Sequence, residues 1–228
     1  MQTYYEITGD NECKLIPETV FTPPITTTDL IFSTFGHAST YLFSTLAATD
    51  LFTLAAIFNN DQSEPKPLVI IYFNKSRNTV IATTTQFFKP VYANNVVQLL
   101  SAFLIFSRAI ILDSLPTLSY QLGKYKDNVL IWVGTNNTVV PDKRIEQIDP
   151  GEVISGIAGA FLIMSEMCSR PCYVFIGVMQ EYLVGRDTLK TYGVLGELIE
   201  FLKLATDEQT INFLITNTNN KLASNSFT

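Results

Sequence analysis

Two cysteines separated by three residues, Cys168 and Cys172, come closest in this sequence to the spacing of a redox or zinc site. Redox pairs and zinc sites usually have two intervening residues, and no second pair follows. The single histidine of the chain, His37, is remote in sequence. We therefore expect no metal site and no cofactor. The two thiols are interpreted as small apolar residues that flank a loop between a helix and a strand.

The sequence also lacks a recognisable set of catalytic residues. No G-x-S-x-G motif provides a serine nucleophile for His37, which lies among aromatic residues. Glu197 and Glu200 are one helical turn apart, but they alternate with an apolar stripe and should face water. The glycines nearest to a phosphate-binding pattern lie at or inside a predicted helix, where packing is their expected use: Gly151, Gly156 and Gly159. We predict no catalytic residue and a protein that is not an enzyme.

The carboxyl-terminal segment combines a polar lead, an aromatic side chain at the penultimate position and an α-carboxylate. Residues 221–228 lose the helical pattern and should extend into solvent. Such a tail can insert between two partner subunits, where a ring is buried and the carboxylate pairs with a lysine. Two interpretations remain open, an inert frayed end and a protein-binding tail formed by Ser226, Phe227 and Thr228.

Composition limits the class of protein. The 228 residues are 47% hydrophobic and 16% charged, which is typical of a folded chain rather than a disordered one. The formal net charge of −6 leaves no broad basic surface for a phosphate backbone, so nucleic acid is not expected as a partner. An odd count of three cysteines fits a reducing compartment. We expect a cytoplasmic protein and leave the nucleus open.

No membrane anchor is expected from the sequence. The first twenty residues contain acidic side chains and lack a continuous apolar run, so they do not resemble a signal peptide. Residues 30–49 and 90–107 contain no Asp, Glu, Lys or Arg, but both contain several polar side chains. Hydrocarbon would leave those groups without water, so neither stretch should span a bilayer.

The middle of the chain reads as a β-hairpin followed by a crossover unit. Residues 68–73 and 79–84 are rich in β-branched and aromatic side chains and are separated by a polar turn, which predicts a hairpin. Residues 94–107 show apolar side chains at helical spacing, and residues 109–112 form a short apolar run that ends at Asp113 and Pro116. A strand, a helix and a strand in this order predict a parallel pair.

The next helix has a marked start in the sequence. Asp149 can accept hydrogen bonds from the first-turn amides, Pro150 suits the first helical position, and Glu152 completes a capping box. The helix should run to Met167 and be buried, because it carries no charge before Glu166. Residues 172–178 then predict a strand covered on both faces. Two further helices are predicted after residues 187 and 206.

These elements predict an α/β fold: an open, mostly parallel sheet with helices on both faces, plus the β-hairpin. Residues 129–133 add a possible strand. Residues 51–58 are interpreted as a core helix or as part of a partner-binding surface, and the core is favoured. No linker divides the chain, so residues 1–220 are expected to form a single domain and residues 221–228 a flexible tail.

Several of these segments together resemble the proteasome assembly chaperone 1 family. The resemblance covers about two thirds of the chain and is carried by residues 68–106, 108–120, 145–147 and, most specifically, 154–195. In the last range a helix of small residues is followed by Arg170-Pro171-Cys172, the strand at 173–178, and the capped segment Thr188-Leu189-Lys190-Thr191-Tyr192.

The resemblance implies a non-enzymatic chaperone for assembly of the 20S proteasome α-ring. Members of the family form a heterodimer with proteasome assembly chaperone 2 and bind α-subunits, and their hydrophobic-tyrosine-any tail docks between α-subunits. Ser226, Phe227 and Thr228 stand at the matching positions, with serine for the apolar residue and phenylalanine for tyrosine. The alternative is a small-molecule enzyme of the nucleoside-cleaving type on a related α/β fold. This alternative is supported only by the similarity of the general architecture.

Overall fold

A computed structural model describes ten segments of the chain. They are residues 5–7, 13–17, 24–34, 51–59, 66–75, 77–85, 90–116, 129–141, 145–148 and 153–179. The tail at 221–228, the predicted helices after residues 187 and 206, and the proposed boundary of the domain lie outside the described residues.

The described strands pair in one sheet. In chain order they are β1 (Tyr5–Ile7), β2 (Cys13–Pro17), β3 (Ile25–Ser33), β4 (Leu51–Asn59), β5 (Pro67–Asn74), β6 (Thr79–Thr84), β7 (Leu104–Pro116), β8 (Val129–Gly134), β9 (Glu146–Gln147) and β10 (Cys172–Met179). Their order in space is β1-β2-β4-β5-β6-β3-β7-β10-β8-β9. The two described α-helices are α1 (Ala93–Phe103) and α2 (Gly156–Met167).

The sheet is mixed, which corrects the expectation of a mostly parallel sheet. Strands β6, β3, β7 and β10 form a parallel centre. The strands on its two sides are joined to it by antiparallel pairs, and β8 and β9 pair in parallel at one edge. Strands β1, β2 and β3 were not predicted from the sequence, and residues 51–58, interpreted as a core helix or a partner-binding surface, lie in β4. The predicted topology therefore lacked the antiparallel strands β1, β2 and β4.

The predicted hairpin is confirmed. Strands β5 and β6 are antiparallel, with Asn74 opposite Thr79 at the turn. Asn78 adopts a φ of 50°, a left-handed conformation that asparagine tolerates better than most residues. The Asn74 side chain accepts a hydrogen bond from the Arg77 amide at 3.1 Å, which is a typical way for asparagine to stabilise a tight turn.

The crossover from β6 through α1 to β7 is confirmed as a parallel connection, but β3 lies between the two strands, so they do not pair. The helix is also shorter than predicted. It ends at Phe103, and residues 104–107 already belong to β7. Strand β3 pairs with β7 from Ile25 opposite Leu104 onward. The chain is therefore a strand from Leu104 onward because its backbone hydrogen-bonds to β3, although the apolar side chains there continue the helical spacing. The predicted strand at residues 129–133 is confirmed as β8, antiparallel to β10.

Helix α2 begins six residues later than its sequence signals predict. Ser155 is the N-cap, in an extended conformation and without a side-chain capping bond. Gly156 has a φ of 65°, which a right-handed helix does not continue through, so the chain enters α2 there. Residues 149–152, which carry the predicted cap, lie outside the described residues.

Both described helices pack on the same face of the sheet and against each other. Helix α1 contacts β7 and also β1 and β2, so the sheet curls around it. The rings of Phe32 from β3 and Phe161 from α2 are 5.3 Å apart at the centre of this core. The prediction of core for residues 51–58 is confirmed by the buried side chains of residues 54–57, but the segment is a strand.

Strand β10 is buried on both faces, as its continuous apolar run predicts. Cys172, Val174 and Ile176 belong to the core under the helices. Tyr173 and Phe175 point to the opposite face, where their rings stack with centroids 6.4 Å apart. Helices on that second face remain a prediction. Among the described helices, none is long and apolar enough to cross a membrane.

Candidate functional site

The carboxyl ends of the central parallel strands are the first place to look for a site, because ligands of open α/β sheets bind at this edge. Strands β6 and β3 end there side by side, whereas β7 continues to Pro116 and pairs with β10. Polar side chains lie at this level of all three strands: Thr83 and Thr84 of β6, Ser33 of β3 with Thr34 directly after it, and Asp113 of β7.

Asp113 is held by two donors at this edge. The Thr34 hydroxyl donates to its carboxyl oxygen Oδ1 at 2.6 Å, and the Ser114 amide donates to the same atom at 2.8 Å. Burial nevertheless raises the pKa of Asp113 above its ordinary value, because the loss of water outweighs both hydrogen bonds. A carboxyl of this kind can keep a proton at a higher pH than an exposed one, which is the property of a general acid or of a hydrogen-bond donor.

Hydroxyl groups make up the rest of the described edge. Ser33 donates to Thr83 at 2.9 Å between the two side-chain oxygens. The hydroxyl of Thr84 is buried and has no hydrogen-bond partner. Among the described residues of this edge there is one carboxyl and no histidine or thiol, so no nucleophile and base stand together there. The edge can hold a polar group, but these residues do not form a catalytic set.

The two cysteines of the Cys168-x-x-x-Cys172 pattern have different surroundings. Cys168 is exposed in the turn after α2, whereas Cys172 is buried at the start of β10. Burial raises the pKa of the Cys172 thiol to about 12, although Ser165 and the Arg170 charge both act to lower it. In the described part of the chain no three potential ligands are grouped for a metal ion. The buried apolar interpretation holds for Cys172 and is wrong for Cys168.

Polar contacts around Cys172 fasten the turn after β8 to the end of α2. The Cys172 amide donates to the Thr135 hydroxyl at 3.0 Å, and the Asn136 amide donates to the Glu166 carboxylate at 3.1 Å. The Arg170 guanidinium carbon lies 4.0 Å from the centre of the Phe106 ring, a cation–π arrangement. These contacts join β7, β8, β10 and α2, so we assign this cluster a structural role.

The surface of α2 is the feature that the sequence analysis missed. A helix whose one charge is Glu166, near its end, predicts burial all round, but this holds only for the first half of α2. Residues 157–161 are all buried, and the exposed apolar side chains lie nearer the carboxyl end. The Ile163 side chain is 65% exposed and that of Met167 is 82% exposed. A helical-wheel comparison would have placed these two residues opposite the core positions Ala158, Phe161 and Ser165. The side chains of Ile163 and Met167 form an exposed apolar patch on α2.

The predicted protein-binding residues of the tail are not described by the structure. Ser226, Phe227 and Thr228 lie outside the described residues, as do His37, Gly151, Glu197 and Glu200. Gly159 is placed inside α2, where an added Cβ would lie 2.5 Å from the carbonyl oxygen of Ile154. Its predicted use in close packing is confirmed.

Comparison of the fold with solved structures gives extensive matches. PbaA of Pyrococcus furiosus, an archaeal homolog of proteasome-assembly chaperone, is 14% identical, with 92% of this chain and 94% of PbaA covered at a TM-score of 0.61. PbaB of the same organism, an archaeal proteasome activator, is 14% identical, with 94% and 98% covered at a TM-score of 0.64.

The chain has the fold of archaeal proteasome-assembly chaperone homologues. A protein of unknown function from Thermoplasma acidophilum also shares it, at 12% identity, with 89% of this chain and 87% of that protein covered and a TM-score of 0.66. No family model and no curated protein matches the sequence. Identities this low establish the fold, and the resemblance to proteasome assembly chaperone 1 itself remains a proposal.

Proposed function

We propose that this chain is a chaperone for assembly of the proteasome α-ring and acts by binding energy, without chemistry. The observation that carries the proposal is the match to PbaA and PbaB, which extends over more than nine tenths of this chain and of both relatives. When two chains match over their whole lengths, a shared mode of action is better supported than when they match over one subdomain. The sequence resemblance to the proteasome assembly chaperone 1 family points in the same direction.

The finer form of the proposal is that the chain works as a heterodimer with a chaperone 2-like partner and contacts α-subunits in the cytoplasm. The exposed apolar side chains of Ile163, Met167 and Val139 support a protein-binding role, since large apolar side chains at the surface are typical of interaction sites. The acidic chain, at net charge −6, is consistent with protein partners rather than nucleic acid.

Affinity purification of the tagged full chain tests this proposal directly. We expect proteasome α-subunits and a second chain of similar fold to be recovered, and mature proteasomes to be depleted relative to free α-subunits. Quantitative mass spectrometry of the eluate gives the measurement. Recovery of neither α-subunits nor a chaperone 2-like chain would reject the proposal.

A second candidate function, a small-molecule enzyme, is favoured by one observation. Asp113 has a raised pKa and lies with Thr34 and the unpartnered Thr84 hydroxyl at the edge where α/β enzymes bind ligands. Incubation of the purified chain with purine nucleosides and phosphate, followed by chromatography of the free base, tests it. Turnover that Asp113→Asn abolishes would support an enzyme, and absence of turnover is expected for a chaperone.

A further inference from the structure

Three polar side chains lie in a row across the sheet at the level where β6 and β3 end. This polar row consists of Thr84, Thr34 and Asp113. The parallel registers of β3 with β6 and with β7 place the three residues side by side, with neighbouring strands about 4.8 Å apart. Ala82 and Ile111, two residues earlier on β6 and β7, belong to the core under the helices. Because side chains alternate along a strand, the polar row lies on the face of the sheet against which α1 and α2 pack.

Thr84 is the member of the polar row whose side chain lacks a partner. The residue is 3% exposed, and its hydroxyl has no hydrogen-bond partner in the described part of the chain. The Thr34 hydroxyl, by contrast, donates to Asp113 at 2.6 Å. Buried hydroxyls are nearly always hydrogen-bonded, because burial without a bond is unfavourable. A bound molecule that accepts a hydrogen bond from Thr84 would remove this cost.

The first turn of α2 contains further donors without a partner inside the helix. The first main-chain bond of the helix runs from the Gly159 amide to the Ser155 carbonyl at 3.4 Å. The amides of Ile157 and Ala158 come before this bond, and the Ser155 side chain does not cap them. Both residues are buried, so water has little access to their amides. The positive end of the helix dipole favours negative charge at this place.

The first turn of α2 and the polar row lie at the same level of the sheet. Helix α2 ends just before β10 begins, and β10 is parallel to β7, so α2 begins toward the carboxyl ends of these strands. The rings of Phe32 on β3 and Phe161 on α2 are 5.3 Å apart. From this contact, Thr34 lies two residues or about 7 Å further along β3, and Ile157 lies four residues or about 6 Å toward the start of α2. Both displacements run in the same direction, which brings the amides and the row together.

We propose that this place binds a small oxyanion, the carboxylate or phosphate group of a small molecule, through the Thr84 hydroxyl and the first-turn amides of α2. Oxyanion oxygens accept hydrogen bonds without donating any, which matches three buried donors at the start of a helix. The inference goes beyond the proposed chaperone function. It uses neither the tail nor any proteasome subunit and requires no turnover, so it does not rest on either candidate function.

Titration of the isotope-labelled full chain with inorganic phosphate, followed by amide-resolved NMR spectroscopy, tests the location of the site. We expect the amide signals of Ile157 and Ala158 to shift with one common dissociation constant of about 1 mM or below. Acetate replaces phosphate in a second titration, and the oxyanion that binds more tightly identifies the chemical group. Sodium chloride at equal ionic strength controls for screening. No shift of these amides at about 20 mM of either oxyanion, or the same shift with chloride, overturns the proposal.

Thr84→Val tests the contribution of the unpartnered hydroxyl. The variant should weaken phosphate binding about tenfold, because a hydrogen bond to a charged group is lost. Its Tm without ligand should equal or exceed that of the wild type, since the hydroxyl has no partner to lose, so weaker binding does not reflect misfolding. Thr79→Val is the matched control at the other end of β6, where the buried Thr79 donates to the Arg77 carbonyl at 3.2 Å. Unchanged affinity in Thr84→Val, or an equal loss in Thr79→Val, rejects the site.

Asp113→Asn distinguishes an oxyanion from other polar ligands. An ionised carboxylate in the polar row repels an oxyanion, whereas it attracts a cation and accepts hydrogen bonds from the hydroxyls of a sugar. The variant should therefore bind inorganic phosphate about threefold more tightly than the wild type at pH 8, in the same NMR titration. Weaker binding of phosphate by Asp113→Asn would contradict the proposed class of ligand.

Discussion

Asp113 is a side chain whose protonation depends on the fold. Its pKa is raised above the ordinary value of 3.8 by burial, against the hydrogen bonds from Thr34 and Ser114. The folded protein therefore holds a proton that the unfolded chain has already released when the pH rises above this value. Folding stability consequently falls as the pH rises from about 3.8 through the pKa of the folded state, and the cost persists at higher pH.

We predict that Asp113→Asn removes this cost. The amide oxygen can still accept from Thr34 and Ser114, but it carries no charge to desolvate. The variant should have a higher Tm than the wild type at pH 8 and a smaller advantage at pH 4, measured by thermal unfolding across that range. Identical pH profiles for the two proteins would contradict a buried, proton-holding carboxyl.

The cysteines should differ sharply in reactivity. Thiolate is the nucleophile, and Cys172 is buried with a pKa of about 12, whereas the Cys168 side chain is exposed. We predict that, among the three cysteines, an alkylating reagent at pH 8 modifies Cys168 first and reaches Cys13 and Cys172 only on unfolding. Peptide mass spectrometry of a time course provides the measurement, with Cys168→Ser as the control that should lose the fast phase. Early modification of Cys172 would show that β10 opens in the native state.

At the scale of elements, α2 is anchored to the sheet by one aromatic side chain. Phe161 is fully buried, and its ring contacts that of Phe32 on β3. Phe161→Ala should lower the free energy of unfolding by about 3–5 kcal/mol, because it leaves a cavity as well as losing apolar burial. Urea denaturation measures the change. Val153→Ala, at a residue that is 88% exposed, should change it by less than about 0.5 kcal/mol.

Gly159→Ala in α2 is predicted to lower the stability of the protein, which is the opposite of what helix propensity alone predicts. Alanine is better than glycine in a helix by about 1 kcal/mol, yet Gly159→Ala should destabilise the protein. The added Cβ would lie 2.5 Å from the Ile154 carbonyl oxygen, so the chain entering α2 must move. We expect a loss of about 1–3 kcal/mol in urea denaturation, as for other overpacked sites.

The matched comparison for Gly159→Ala is Ser155→Ala. Ser155 is the N-cap of α2 but makes no side-chain capping bond, so its loss should cost less than the usual 1 kcal/mol or so of a capping serine. A stabilising effect of Gly159→Ala would mean that the approach of Ile154 to α2 is looser than in the structure.

Elements with a strong local pattern could be predicted from the sequence. The hairpin of β5 and β6, helix α1 and strand β10 each contain enough β-branched or periodically spaced apolar residues to identify them. Strand β3 was not predicted, although Ile25, its three threonines and Ile31 are β-branched and carry the same signal. Its central place between β6 and β7 depends on strands far along the chain and could not be predicted from its own residues. The Asp29 carboxylate, 2.7 Å from Arg108 on β7, is paired only in the folded sheet.

At the scale of the whole molecule, the proposed chaperone function can use two separate parts of the chain. The exposed apolar side chains of Ile163 and Met167 lie on α2, whereas the tail motif lies at residues 226–228.

The contribution of the tail can be measured on α-subunits. Deletion of Ser226 to Thr228 should weaken binding to isolated α-subunits or α-rings about tenfold, because burial of one aromatic ring and pairing of one carboxylate are lost. Biolayer interferometry gives the affinities, and unchanged Tm shows that the fold is intact. Ser226→Ala is the control and should bind like the wild type. Equal affinity after truncation would show that the tail is inert and that another surface makes the contact.

An α/β fold, the hairpin, the crossover through α1 and the buried strand β10 could all be predicted from the sequence. Each of these depends on residues close together in the chain, whose spacing fixes which side becomes apolar. The tertiary structure decided the mixed topology, the late start of α2 at Gly156, the raised pKa of Asp113 and the exposure of Ile163 and Met167. These properties depend on which distant segments pack together, because pairing and access to water are set by neighbours in space rather than by neighbours in sequence.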